Sequence, residues 1–112
     1  MKTSIVALSF ASSMAFASGG ATAANISDKT ALEMMTKVGC SACHSVDKKG
    51  VGPTYRDVAK KRKGEKDAVA MLEKKVRGGG AGAYGSIPMP PNPKEKISDK
   101  NLHEMIQWVL SK

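Results

Sequence analysis

The 112-residue chain carries 18 Lys and Arg against 10 Asp and Glu, a formal net charge of +8. Its length allows one domain, and a balance of 25% charged to 41% hydrophobic residues excludes wholesale disorder. No apolar run reaches the roughly 18 residues that a membrane span needs. A chain this short also cannot bury a large core unaided, so something besides its own side chains is expected to help hold it together.

The first 24 residues read as a leader rather than as part of the fold. Lys2 supplies a positive start, Ile5 to Phe16 is apolar apart from serines, and small residues end in Ala21-Thr22-Ala23-Ala24. This is the layout of a secretory signal peptide, with cleavage expected after Ala23 or Ala24. Ala15-Phe16-Ala17 offers a second small-x-small site, and an uncleaved apolar anchor is the alternative. Residues 25–112 then form the single folded domain. Export would normally make two cysteines one disulfide, but their setting argues otherwise.

Four helices are predicted. Ser27 or Asp28 caps the first, which runs to about Val38 with Ala31, Leu32, Met35 and Val38 on one stripe and Gly39 as its stop. Thr54 caps a short basic helix, Tyr55 to Arg62, with Tyr55, Val58 and Ala59 on one face. Asp67 starts a third, in which Val69, Leu72 and Val76 recur, and Gly78-Gly79-Gly80 ends it. Ser98 caps the last, with Leu102, Met105, Ile106 and Val109 inward and Trp108 beside them. Gly78 to Ile97 is a long irregular segment holding four of the five prolines. No alternating run supports a strand, so the fold class is all-α with one long loop, and such loops are usually functional.

Cys40-Ser41-Ala42-Cys43-His44 is the most specific motif. Two thiols at this spacing can add to the two vinyl groups of one haem, and the adjacent imidazole can reach its iron. The alternatives are a thioredoxin-like redox pair, a zinc site with His44 and His103, or a local disulfide. No βαβ pattern surrounds the pair, and the histidines lack zinc-finger spacing. A covalently held haem c would also supply the missing hydrophobe.

The second axial position has several candidates: His103, Met34, Met35, Met71, Met89 and Met105. The helical methionines read more simply as core filling, and His103 as a surface residue. Met89 lies in Ile87-Pro88-Met89-Pro90-Pro91-Asn92, where the prolines reduce the entropy lost on ordering. A stiff loop can retain a weak thioether ligand. Met/His ligation raises the reduction potential and leaves no open iron site, which suits a carrier.

Taken in order, Val38 to His44, Val51-Gly52-Pro53-Thr54-Tyr55, Gly85 to Asn92 and Trp108-Val109-Leu110 resemble the small bacterial class I cytochromes c of the c-551 group. The resemblance implies a compact cytochrome c fold, four to five helices around one haem, in a monohaem periplasmic carrier. It makes Cys40 and Cys43 the thioether sites and His44 and Met89 the axial ligands. It implies that the Pro53 carbonyl accepts the His44 ring N–H, and that Asn92 leans on the Met89 sulfur. The plainer alternatives are that Pro53 shapes a turn and Asn92 caps the loop. Tyr84 stands where relatives often have a tryptophan that bonds a haem propionate, and Lys75 is the basic residue implied for a propionate from the third helix.

Lys60-Lys61-Arg62-Lys63 is the densest basic run. It is either a solvated face, a field that steers docking to acidic redox partner proteins, or a contact for anionic membrane surfaces. Nucleic acid is not expected, because no aromatic platform interleaves the basic residues. The reading is a monomeric electron-transfer protein and not an enzyme. The alternative is a haem sensor or peroxidase-like enzyme with a labile sixth ligand.

Overall fold

The computed structural model describes residues 25–112, and the expected leader lies outside the described residues. Each helix begins where a capping side chain was expected. In α1 (Asp28–Lys37) the Ser27 hydroxyl accepts the Thr30 N–H, and in α2 (Tyr55–Arg62) Thr54 accepts the Asp57 N–H. In α4 (Asp99–Leu110) Ser98 accepts the Asn101 N–H. In α3 (Ala68–Gly78) Asp67 holds the cap position without a side-chain bond, so only its carbonyl enters the helix, accepting from Met71. One 3₁₀ turn, Cys40–Ala42, was not anticipated; it follows Gly39, whose φ of 85° turns the chain sharply out of α1.

The last helix organises the rest, packing against α1, α2 and α3. Leu102, Met105, Ile106, Trp108 and Val109 are all buried in it, and they meet Ala31 and Met35 of α1, Tyr55 and Val58 of α2, and Ile97. The predicted α1 stripe is narrower than expected, since Leu32 is 40% exposed. A residue one position from Ala31 lies about 100° round the helix, and among the described residues α1 packs mainly against α4 and the 3₁₀ turn. Trp108 donates to the Asp28 carboxylate at 2.8 Å, and Lys112 pairs with the same oxygen, so the last helix clamps the start of the first.

Among the described residues there is no strand. The long segment after α3 makes one isolated antiparallel bridge, Gly80 with Met89. The third helix buries only Ala68 fully, while Val69, Leu72 and Val76 are half-buried. That incomplete burial leaves an apolar floor open to solvent.

Candidate functional site

The open floor is one side of a cleft of about 900 Å³, lined by residues of all four helices, the Cys40–His44 turn and the loop that carries Met89. Met35, Tyr55, Val58, Leu72, Val76 and Ile106 give it apolar walls. Cys40, Cys43, His44, Pro53, Lys75, Tyr84, Met89 and Asn92, the eight residues singled out from the sequence, all line it. Met105 and Met71 line it too, whereas His103 sits on the surface with its Nδ1 2.7 Å from Glu73.

The cysteine–histidine wall is built locally. The 3₁₀ turn lets the Cys40 carbonyl accept both the Cys43 and His44 N–H groups, at 3.1 and 3.0 Å. The Cys43 carbonyl accepts from Gly52 at 2.9 Å, and Ser45 and Val46 carbonyls accept from Tyr55 and Arg56, folding 45–56 back on the turn. This brings the Pro53 carbonyl 2.7 Å from His44 Nδ1. A carbonyl can only accept, so Nδ1 carries the proton and Nε2 keeps a lone pair for a ligand. A side chain at position 52 would come within 2.5 Å of the His44 ring, so Gly52 is required for the loop to lie against it. The ring stacks on Tyr55 at 5.8 Å between centroids, and Tyr55 meets Trp108 edge-on at 5.4 Å. Cys40 and Cys43 form no disulfide, so both sulfurs are available for attachment.

The Met89 wall combines one nearby backbone pair with more distant partners. Met89 exchanges two backbone hydrogen bonds with Gly80, at 2.9 and 3.1 Å. Gly79 packs so closely that a Cβ there would lie 2.3 Å from the Met89 carbonyl, and its φ of 66° with ψ of −151° suits glycine alone. Buried Asn92 donates its side-chain amide to the Val76 and Pro90 carbonyls, at 3.2 and 3.0 Å. The amide N–H groups are committed to backbone acceptors, so Asn92 clasps the loop to α3.

Tyr84 is 42% exposed, with the Lys61 ammonium 4.6 Å above its ring centre. Lys75 reaches the cleft beside Gly80. Sequence reasoning missed three residues. Lys61 donates to the Ala83 carbonyl at 2.9 Å. Arg77 grips the carbonyls of Asn92 and Ile97 and the Asp99 carboxylate, at 3.1, 2.7 and 2.7 Å. Arg62 lines the cleft, with its guanidinium on Glu65 and its Nε buried without a partner. Their only sequence signal is position: basic residues in the last turns of α2 and α3.

Among the described residues, two polar atoms of cleft-lining side chains, the Tyr55 hydroxyl and Arg62 Nε, are covered by the protein and lack partners. Each such orphan costs about 1–3 kcal/mol. A large flat apolar group fits this arrangement: apolar walls for its faces, two thiols, a free imidazole nitrogen and a thioether.

The comparisons with known proteins agree. The family model for cytochrome c matches residues 18–112, and the chain belongs to the cytochrome c family. Cytochrome c2 of Rubrivivax gelatinosus is 44% identical over 81 residues, which is 72% of this chain and 95% of that protein. Cytochrome c-551 of Pseudomonas aeruginosa is 47% identical over 73 residues, 65% of this chain and 67% of the relative. The crystal structure of wild-type Nitrosomonas europaea cytochrome c552 superposes with a TM-score of 0.65 at 38% identity, covering 71% of this chain and 96% of that one. The protein is a small class I c-type cytochrome, a haem electron carrier whose cofactor is covalent haem c.

Proposed function

We propose that Cys40 and Cys43 hold the haem c by thioethers, that His44 and Met89 are its axial ligands, and that the protein is a monomeric periplasmic carrier and not an enzyme. Residues 1–24 act as its cleaved leader and residues 25–112 as its haem domain. The observation that carries this reading is the pairing in one cleft of His44, backed by the Pro53 carbonyl, with Met89, whose backbone is bonded at both N–H and C=O.

When bound, haem c supplies one-electron Fe(III)/Fe(II) chemistry. The chain's own residues orient and enclose. The Pro53 carbonyl fixes the His44 ring and raises the basicity of Nε2. The apolar walls exclude water and favour the less charged ferrous state. Met35 and Met105 also line the cleft, but both belong to the packed core, at 3% and 2% exposure. Met71 is 44% exposed on a helix. Met89 alone of the four stands on a loop pinned from behind, as a weak ligand requires. A pinned sixth ligand speaks against the sensor or peroxidase-like alternative, which needs a labile one.

After acid denaturation and solvent extraction, the haem colour should stay with the polypeptide; colour that extracts would overturn the thioether assignment. Met89→Ala should abolish the red sulfur-to-ferric-iron charge-transfer band and lower the reduction potential, while Met105→Ala keeps the band. The reverse pattern would make Met105 the ligand.

A further inference from the structure

The strap that carries Met89 is poor in hydrogen-bond donors. Pro88-Met89-Pro90-Pro91-Asn92-Pro93 has four prolines in six residues, so Met89 and Asn92 hold its only two backbone N–H groups. Both are committed to the segment that ends α3: Met89 donates to the Gly80 carbonyl and Asn92 to the Val76 carbonyl, each at 3.1 Å. The strap's carbonyls must then borrow donors or face solvent. Gly80 supplies one to Met89, and the Asn92 side chain supplies one to Pro90. The carbonyl of buried Asn92 takes its donor from Arg77.

Arg77 stands in the last turn of α3, where a cation also suits the carbonyl end of the helix. Its Nη1 donates to the carbonyls of Asn92 and Ile97 at 3.1 and 2.7 Å, and its Nη2 meets Asp99 Oδ1 at 2.7 Å. Asn92 lies at the exit of the strap, Ile97 is buried in the core, and Asp99 opens α4. Lys94 holds the second Asp99 oxygen at 2.9 Å. One guanidinium thus gathers the exit of the strap and the start of α4 onto the end of α3. A planar fork makes three such bonds at fixed angles, which an ammonium on a flexible stem cannot reproduce. Bonds from a charged donor are also stronger than the neutral ones that Gly80 and the Asn92 amide provide. For Met89 to leave the cleft, the strap must lift from α3, and the bond from Arg77 to Asn92 opposes that without touching Met89.

We propose that Arg77 is a positioning residue for the sixth ligand: its guanidinium latches the Met89 strap to α3 and α4, and so sets how readily Met89 gives way to a small ligand from solution. This assignment rests on the axial-ligand reading above and adds to it the residue that controls ligand loss. Asp99 acts through Arg77, by holding the far side of the fork.

The test uses the ferric holoprotein, with covalent haem verified on each preparation, titrated with imidazole and followed by the charge-transfer band. Arg77→Met should raise imidazole affinity by about tenfold, the scale of one lost charge-assisted bond. Arg77→Lys should give a smaller rise, and Asp99→Asn, which keeps the guanidinium but weakens its hold, the smallest. Hydrogen exchange at the paired Gly80 and Met89 amides should quicken in the same order. Ala31→Gly separates positioning from general stability, because Ala31 is buried in α1 and does not line the cleft. It should lower the unfolding midpoint and leave imidazole affinity alone. Unaltered imidazole affinity in Arg77→Met, or an equal rise in Ala31→Gly, would overturn the latch. Met89→Ala, measured alongside, tells the two readings apart: a band that survives it overturns the ligand assignment and the latch with it. A band lost in Met89→Ala, with imidazole affinity unmoved in Arg77→Met, overturns the latch alone.

Discussion

The turn that carries His44 and the loop that carries Met89 border one cleft but are held in different ways. The histidine turn closes on itself: Pro53, the acceptor for its ring, is nine residues from His44. The methionine loop has one contact of the same reach, Met89 with Gly80, but its other ties run to partners farther along the chain. Asn92 reaches 16 residues back to Val76, Arg77 reaches 20 forward to Ile97, and Lys61 reaches 22 to Ala83. Local contacts form at small loop-closure cost, whereas these long-range ones need α2 and α3 already in place. The methionine loop is therefore the wall expected to open first, and segments of low local stability are where such openings concentrate. A carrier built this way keeps its covalent anchor on the stable wall.

That contrast can be broken at its glycines. Gly79→Ala puts a side chain into a backbone conformation reserved for glycine and against the Met89 carbonyl. A loss of about 3–5 kcal/mol is expected, read by thermal or denaturant unfolding of the holoprotein. The charge-transfer band should fade before global unfolding. Gly52→Ala meets the His44 ring instead of backbone, and should cost about 1–3 kcal/mol. Equal losses, with both ligands released together, would show the two walls to be one cooperative unit.

Asn92→Ala sharpens the comparison without adding bulk. It removes both side-chain clasps and strands the Pro90 carbonyl, at an expected cost of about 1–3 kcal/mol. Haem attachment should survive, while an added small ligand such as imidazole displaces Met89 more readily than in the unmodified protein. No change in imidazole affinity would mean that the Gly80 bridge alone secures the loop.

The basic run at the end of α2 divides along the same line. Lys60 and Lys63 are exposed, whereas Lys61 is tied to Ala83 and Tyr84. The Debye length falls from about 30 Å at 0.01 M salt to about 8 Å at 0.15 M. If the run steers acidic partners, Lys60→Gln with Lys63→Gln should flatten the salt dependence of the second-order electron-transfer rate and leave the spectrum intact. Lys61→Gln should also loosen the methionine loop, visible as a weaker charge-transfer band. An unchanged salt slope in the double variant would make these two lysines a solvated face.

The smallest effect lies away from both walls. The hydrogen bond from Lys112, followed by that from Trp108, holds the Asp28 carboxyl below its ordinary value of 3.8. A carboxyl depressed in the folded state adds stability above its unfolded pKa, and that stability is lost as pH falls through the folded value. The midpoint of thermal unfolding should therefore drop somewhat less between pH 5 and pH 3 in Asp28→Asn than in the unmodified protein. Parallel pH profiles would remove Asp28 from the acid sensitivity of the fold.

Much of this molecule is written in short stretches of chain. Ser27, Thr54 and Ser98 cap helices because each hydroxyl needs only an N–H three residues ahead. The α4 stripe is set by helical spacing, and the Cys40–His44 motif by the separation of two thiols and an imidazole. The second partner of a long side chain is not local. Asn92 has donors that suit many acceptors, and its bond to the Val76 carbonyl exists only because α3 packs beside the loop. Lys61, Arg62 and Lys63 are equivalent basic letters, yet the position of α2 along the cleft commits the first to the loop, turns the second inward and leaves the third in water. Residue types and short spacings determined the caps, the class of cofactor and the anchoring turn; the tertiary structure decided what holds the methionine loop, because long side chains take whichever acceptor the packing of distant helices brings within about 3 Å.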